Sequence, residues 1–128
     1  MVNKNDMVDL SEMEEVHYID NLDTLKVITD ERRLQMLELL VQQPYTVKQL
    51  AAELELAPTK LYYHIKQLED HALIRVVETQ VVSGIIEKTY RAIARRFSVD
   101  ETVLQPNRDT ALAAVNMVTT MFENTLRE

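Results

Sequence analysis

Gly84 is the only glycine in 128 residues, and it stands between two runs of strand-forming residues. No other feature restricts the fold as much. Leu73 to Val82 and Ile85 to Ala92 flank Ser83-Gly84. A two-residue hairpin turn needs positive φ, which glycine reaches without steric cost. With that turn, Val77 opposes Tyr90, Thr79 opposes Lys88 and Val81 opposes Ile86. Four β-branched residues beside the turn, Val81, Val82, Ile85 and Ile86, predict a stiff ribbon that projects from the body.

Upstream the spacing is helical. Ser11 and Glu14 have the separation of a capping box, which predicts a short helix; the alternative is a brief extended segment at Val16–Ile19. Asp20 offers an N-cap for Leu22 to Ile28, and Asp30 caps a helix with Leu34, Leu37, Leu40 and Val41 on one face. Pro44 ends it. Thr46 and Gln49 make a second capping box, opening a helix that buries Val47, Leu50, Ala51 and Leu54. Leu56 and Ala57 turn the chain. Pro58 suits the first position of the next helix, 58–68, which turns Leu61, Ile65 and Leu68 inward. Helix, turn, helix and ribbon in this order make a winged helix-turn-helix, an α+β fold that is mainly α.

A polar link after Phe97 leads to a long terminal helix carrying Leu112, Val115, Val118, Phe122 and Leu126 along one side. That stripe exceeds what a small body covers, so a partner helix from a second copy is expected, making a homodimer; the alternative is folding back on the chain's own N-terminal helices. The chain thus divides into an N-terminal extension at 1–19, a winged domain at 20–96, and a linker with a dimerisation helix at 97–128.

The net charge of −7 is unevenly spread. Residues 1–43 hold four basic and ten acidic side chains, residues 44–96 eight and six, and residues 97–128 two and five. Only the middle is positive, and salt screens the distant acids beyond about 10 Å at 0.1 M. Cysteine is absent, which removes disulfides and thiolate metal sites and suggests the cytoplasm. No window approaches the ~20 apolar residues of a membrane span. Gly-rich phosphate loops, paired-histidine motifs and Gly-x-Ser-x-Gly elbows are missing, so no enzyme, cofactor or metal site is expected.

Asp30-Glu-Arg-Arg-Leu-Gln-Met-Leu-Glu-Leu-Leu, then Pro58-Thr-Lys-Leu-Tyr-Tyr-His-Ile-Lys-Gln-Leu-Glu-Asp-His-Ala-Leu-Ile, resembles the ArsR-type winged helix-turn-helix regulators of bacteria. Val82-Ser-Gly-Ile-Ile-Glu-Lys-Thr-Tyr-Arg-Ala resembles the wing of one branch of that group. The resemblance covers roughly residues 22 to 95 and implies a homodimer on a partly palindromic operator, repressing or adjusting transcription. It makes 58–68 the recognition helix and places the wing on flanking backbone or minor groove. Metal sensing does not carry over, because the paired cysteines and the histidine clusters of the sensing members are absent here.

Binding double-stranded DNA requires phosphate neutralisation and a few donors at base edges. Thr46 with the free N–H groups of its helix start, Lys48, Lys60, Lys66 and Lys88 suit the backbone. Pro58, Thr59, Lys60, Tyr62 and Tyr63 occupy the first turns of the recognition helix. His64 either donates to a phosphate or holds a contact inside the helix-turn-helix. Gln80, Ser83 and Lys88 are what the wing contributes, with the recognition helix dominating affinity. A different class of reading is a protein-binding adaptor that docks its acidic ends and apolar wing. An unidentified small-molecule effector would find Met117, Met121 and Phe122 as a lining.

Overall fold

The stripes expected to be inward do converge on one core in the computed structural model, which describes residues 13–104 and 116–120. Leu34, Leu37, Leu40, Leu50, Leu61 and Leu68 are fully buried together. Helix α1, Leu22–Ile28, starts at Asn21 rather than Asp20, and the Asn21 Oδ1 accepts the Thr24 N–H at 2.8 Å. Helix α2, Glu31–Gln42, is capped by Asp30, whose carboxylate accepts the Arg33 N–H at 3.1 Å. The Thr46–Gln49 box opens helix α3, Val47–Leu54, with bonds of 3.2 and 2.8 Å in the two directions.

Glu55 closes α3 in the left-handed region, at φ 57 and ψ 44, and the Leu56 N–H reaches back to the Ala51 carbonyl at 2.9 Å. A glycine commonly does this work. The next helix is not one piece. Pro58–Lys60 is a 3-10 turn, Leu61 is the joint, and helix α4 runs Tyr62–Asp70, two residues past the expected end.

Strands β2, Tyr45–Thr46, β3, Ile74–Val82, and β4, Ile85–Ala92, form an antiparallel sheet in the order β2-β4-β3. Ser83 and Gly84 have φ of 55 and 79, so both central residues of the turn are left-handed, as a type I′ hairpin requires. Thr79 opposes Lys88 and Val81 opposes Ile86 as expected, but Val76, not Val77, opposes Tyr90. Val77 is the extra residue of a β-bulge. The turn sets the pairing at the tip, the core sets it at Ile74–Ala92, and the two differ by one residue. Because β4 itself is uninterrupted, Ile86, Lys88 and Tyr90 share one face of the ribbon, and Ile85, Glu87 and Thr89 the other.

Strand β1, Glu14–Ile19, lies parallel to strand β5, Ala94–Val99, with Ile19 beside Val99. Val16–Ile19 is therefore extended and Glu14 does not start a helix; Ser11 lies outside the described residues. Burial of Ile19 and Phe97 drives the pairing, and Glu15 meets Arg96 at 3.0 Å and Arg95 at 3.7 Å. The expected polar link after Phe97 continues as strand to Val99, and a 3-10 turn follows at Glu101–Leu104. Residues 116–120 are helical, and Val118, expected to face a second chain, is buried in the core of its own. The other four stripe positions, Leu112, Val115, Phe122 and Leu126, lie outside the described residues.

Candidate nucleic-acid interface

Leu61, Ile65 and Leu68 pin α4 to the core, and by helical geometry the opposite side must face outward. Thr59, Lys60, Tyr62, Tyr63 and Lys66 are all exposed there. Tyr62 and Tyr63 keep 56% and 65% of their surface, so neither ring is spent on packing. From Pro58 onward the first acid is Glu69. Lys66 Nζ is paired with Asp70 at 3.2 Å, one helical turn on. Pro58 is half-buried beneath this face.

The start of α3 departs from the sequence reading. Thr46 is buried, and Gln49 takes both its hydroxyl and its N–H in the capping box. Lys48 is the exposed cation of that helix start.

Between this helix end and the ribbon runs a groove of about 500 Å³, walled by Val47, Tyr62, Ile86 and Tyr90, with Lys48 and Lys88 also lining it. Glu87 borders it too. Burial, with the charge of Glu69 and the nearby Tyr62 adding to it, raises the Tyr90 phenol above its ordinary value, so the hydroxyl stays neutral. Lys88 and Ser83 are exposed, while the Gln80 amide donates to the Glu87 carboxylate at 3.2 Å.

His64 works inside the unit. Its Nδ1 lies 3.3 Å from an Arg33 guanidinium nitrogen, and Arg33 also donates through Nε to the Val27 carbonyl at 2.7 Å. Burial lowers the His64 pKa; Asp30 opposes that shift, while Arg33 and Arg32 add to it. Facing an arginine that can only donate, the neutral ring accepts through Nδ1. Asp30 is held below its ordinary value even though burial acts the other way, because the Arg33 N–H and charge outweigh it. His64, Arg33 and Asp30 thus brace α4 against the start of α2. A contact of this kind was one of the two readings of His64, but no sequence signal named the partner, since His64 and Arg33 are 31 residues apart.

The arginines after the wing also have structural work. Arg91 is buried and donates to the Val41 carbonyl at the end of α2, at 3.3 Å. Arg95 and Arg96 bind Glu15. His71 lies 3.2 Å from the Thr24 hydroxyl, and His17 2.8 Å from Glu14.

Residues 30–76, from the cap of α2 through α4 into β3, match the family model described as bacterial regulatory protein, arsR family. Over those residues the chain is similar to that family. An HTH-type transcriptional regulator of Methanocaldococcus jannaschii is 29% identical over 89 residues, covering 68% of this chain and 90% of the relative. Among solved structures, reduced HlyU from Vibrio cholerae is 28% identical, with 56% of this chain and 70% of that one covered and a TM-score of 0.47. The transcriptional regulator HlyU from Vibrio vulnificus is 26% identical, with 70% and 83% covered and a TM-score of 0.46. In this winged helix-turn-helix α3 and α4 are the two helices of the helix-turn-helix, and β3–β4 is the wing.

Proposed function

We propose that this chain regulates transcription by binding double-stranded DNA, with the 3-10 turn and α4 laid in the major groove. The observation that carries the reading is the outward face of that segment: exposed Thr59, Lys60, Tyr62, Tyr63 and Lys66, with no acid before Glu69. Hydroxyls and cations on a helix face suit base edges and phosphates, and Lys48 and Lys88 extend the cationic surface on either side of the groove. Neither Thr46, closed into its capping box, nor His64, engaged by Arg33, belongs to the contact set. Both act by holding the reading segment still.

The active form is a homodimer on a partly palindromic operator; Val118 is taken up by its own core, so the support is the sequence pattern of Leu112, Val115, Phe122 and Leu126. It acts in the cytoplasm, repressing or adjusting transcription, without catalysis. Any signal it answers is not a thiophilic metal captured by cysteine, since the chain has none. Selection of bound sequences from a random duplex pool tests the DNA binding and the dimer symmetry. Enrichment of a palindrome is expected; absence of any enrichment, together with failure to bind heparin at low salt, would overturn it in favour of a protein-binding adaptor.

A further inference from the structure

The wing ends in six residues without a charge, Val81-Val-Ser-Gly-Ile-Ile86. Val81, Ile85 and Ile86 are exposed to 71%, 71% and 66%, and Val82 to 40%. Single exposed aliphatics are ordinary on a protein surface; four around one hairpin tip are not. A basic wing would grip phosphates. This one has no cation at its tip, where the Ser83 hydroxyl is the one polar side chain.

Two features say what the tip meets. It borders the same groove as Tyr62, Lys48 and Lys88, so whatever lies along the outward face of α4 reaches it. Its side chains also point to both sides of the ribbon, with Val81 and Ile86 on the Lys88 side and Val82 and Ile85 on the other. A B-form minor groove is about 6 Å wide. Paired strands are already about 4.8 Å apart between their backbones, so the ribbon cannot lie flat in that space. Only the tip side chains can enter, and only where the duplex opens. Apolar side chains that enter this way part base steps and kink the duplex, most readily at pyrimidine–purine steps.

On the DNA-binding reading above, we infer that the wing is an aliphatic wedge that enters the minor groove beside the recognition site and selects deformable TpA and CpA steps. Affinity from the wing then comes from apolar burial rather than from Gln80, whose amide is held by Glu87.

The test uses the full chain with V81T, I85T and I86T combined. Threonine keeps the β-branch and hence the hairpin, and thermal melts of the variant check that. Probes are short labelled duplexes of equal length, one rich in TpA steps with 2-aminopurine beside one of them, the other G·C-rich without such steps. The expected result is a loss of about tenfold or more in affinity for the TpA duplex, the scale of burying one aliphatic side chain. The slope of log affinity against log salt stays unchanged, because no phosphate contact is lost. The rise in 2-aminopurine fluorescence on binding disappears. Equal affinity of variant and parent for the TpA duplex, or a loss accompanied by a shallower salt slope, overturns the wedge and leaves DNA binding standing. A parent that binds neither duplex overturns both. A variant that keeps its DNA affinity but loses self-association, or loses binding to phosphatidylserine vesicles, assigns the tip to those surfaces instead and likewise overturns the inference.

Discussion

Replacing Asp70 by Asn should strengthen DNA binding. Asp70 holds the Lys66 ammonium at 3.2 Å, and the two side chains are 51% and 72% exposed. At that separation in bulk water the Coulomb attraction is about 1.3 kcal/mol. Side-chain entropy and salt reduce such exposed pairs to about 0.2–1 kcal/mol. Lys66 must surrender that amount before it can face a phosphate squarely. D70N removes the competitor and a charge that the duplex repels, so affinity should rise by about two- to fivefold. The dependence on salt should steepen by up to about 0.9 in the slope of log K against log salt, the value of one further phosphate contact. Folding should be unharmed, because an acid at the last residue of a helix is unfavourable to the helix dipole. Fluorescence anisotropy of a labelled duplex over a salt series reads both quantities. K66A/D70N, compared with K66A alone, separates release of the lysine from simple loss of repulsion: the gain should shrink there. An unchanged affinity and slope for D70N would refute the argument that Lys66 contacts DNA from this position.

Other changes follow from the same geometry. Lys60→Ala should weaken binding more than Lys88→Ala, because the recognition segment carries most of the affinity; anisotropy titrations that rank them the other way would count against this. Leu61→Ala empties a fully buried site at the joint before α4 and should cost about 2–5 kcal/mol in urea unfolding. Gly84→Ala adds a Cβ with nothing within 4 Å, so its cost is that of a left-handed alanine alone, about 1–2 kcal/mol, visible as a lower melting temperature. His64 has a pKa below its ordinary 6.5, first because of burial. The unfolded chain therefore takes up a proton at a higher pH than the folded one. Its contribution to stability is complete above that value and declines as pH falls through it towards the folded value. His64→Gln should flatten that part of the stability–pH curve in denaturant titrations.

Helices were readable because their determinants are local. The Asp30 cap, the Thr46–Gln49 box and the Leu61, Ile65, Leu68 spacing all act within two turns of chain. The outward face of α4 followed from the same period. Asn21 in place of Asp20 illustrates the limit: both residues cap well, and the choice falls to the parallel pairing of β1, where the Asp100 N–H binds the Ile19 carbonyl at 2.8 Å and fixes the approach to α1. That pairing joins segments some eighty residues apart, and neither strand has a turn signal to announce it. The task of His64 depended on where the tertiary fold placed Arg33. Thr46 shows the reverse case: the box was legible, but the burial that withdraws its hydroxyl from solvent was not.

Val77 has a consequence beyond local twist. Were the pairing at Ile74–Ala92 carried to the tip without interruption, Glu78 would stand across from Lys88 and Gln80 across from Ile86, inserting an acid on the cationic side of the ribbon. The two-residue loop forbids that alignment, and the supernumerary valine absorbs the mismatch. The electrical sign of that side is therefore decided by a residue count. A three-residue loop, Val82 to Gly84, would admit the other alignment and set Glu78 against Lys88, cancelling its charge.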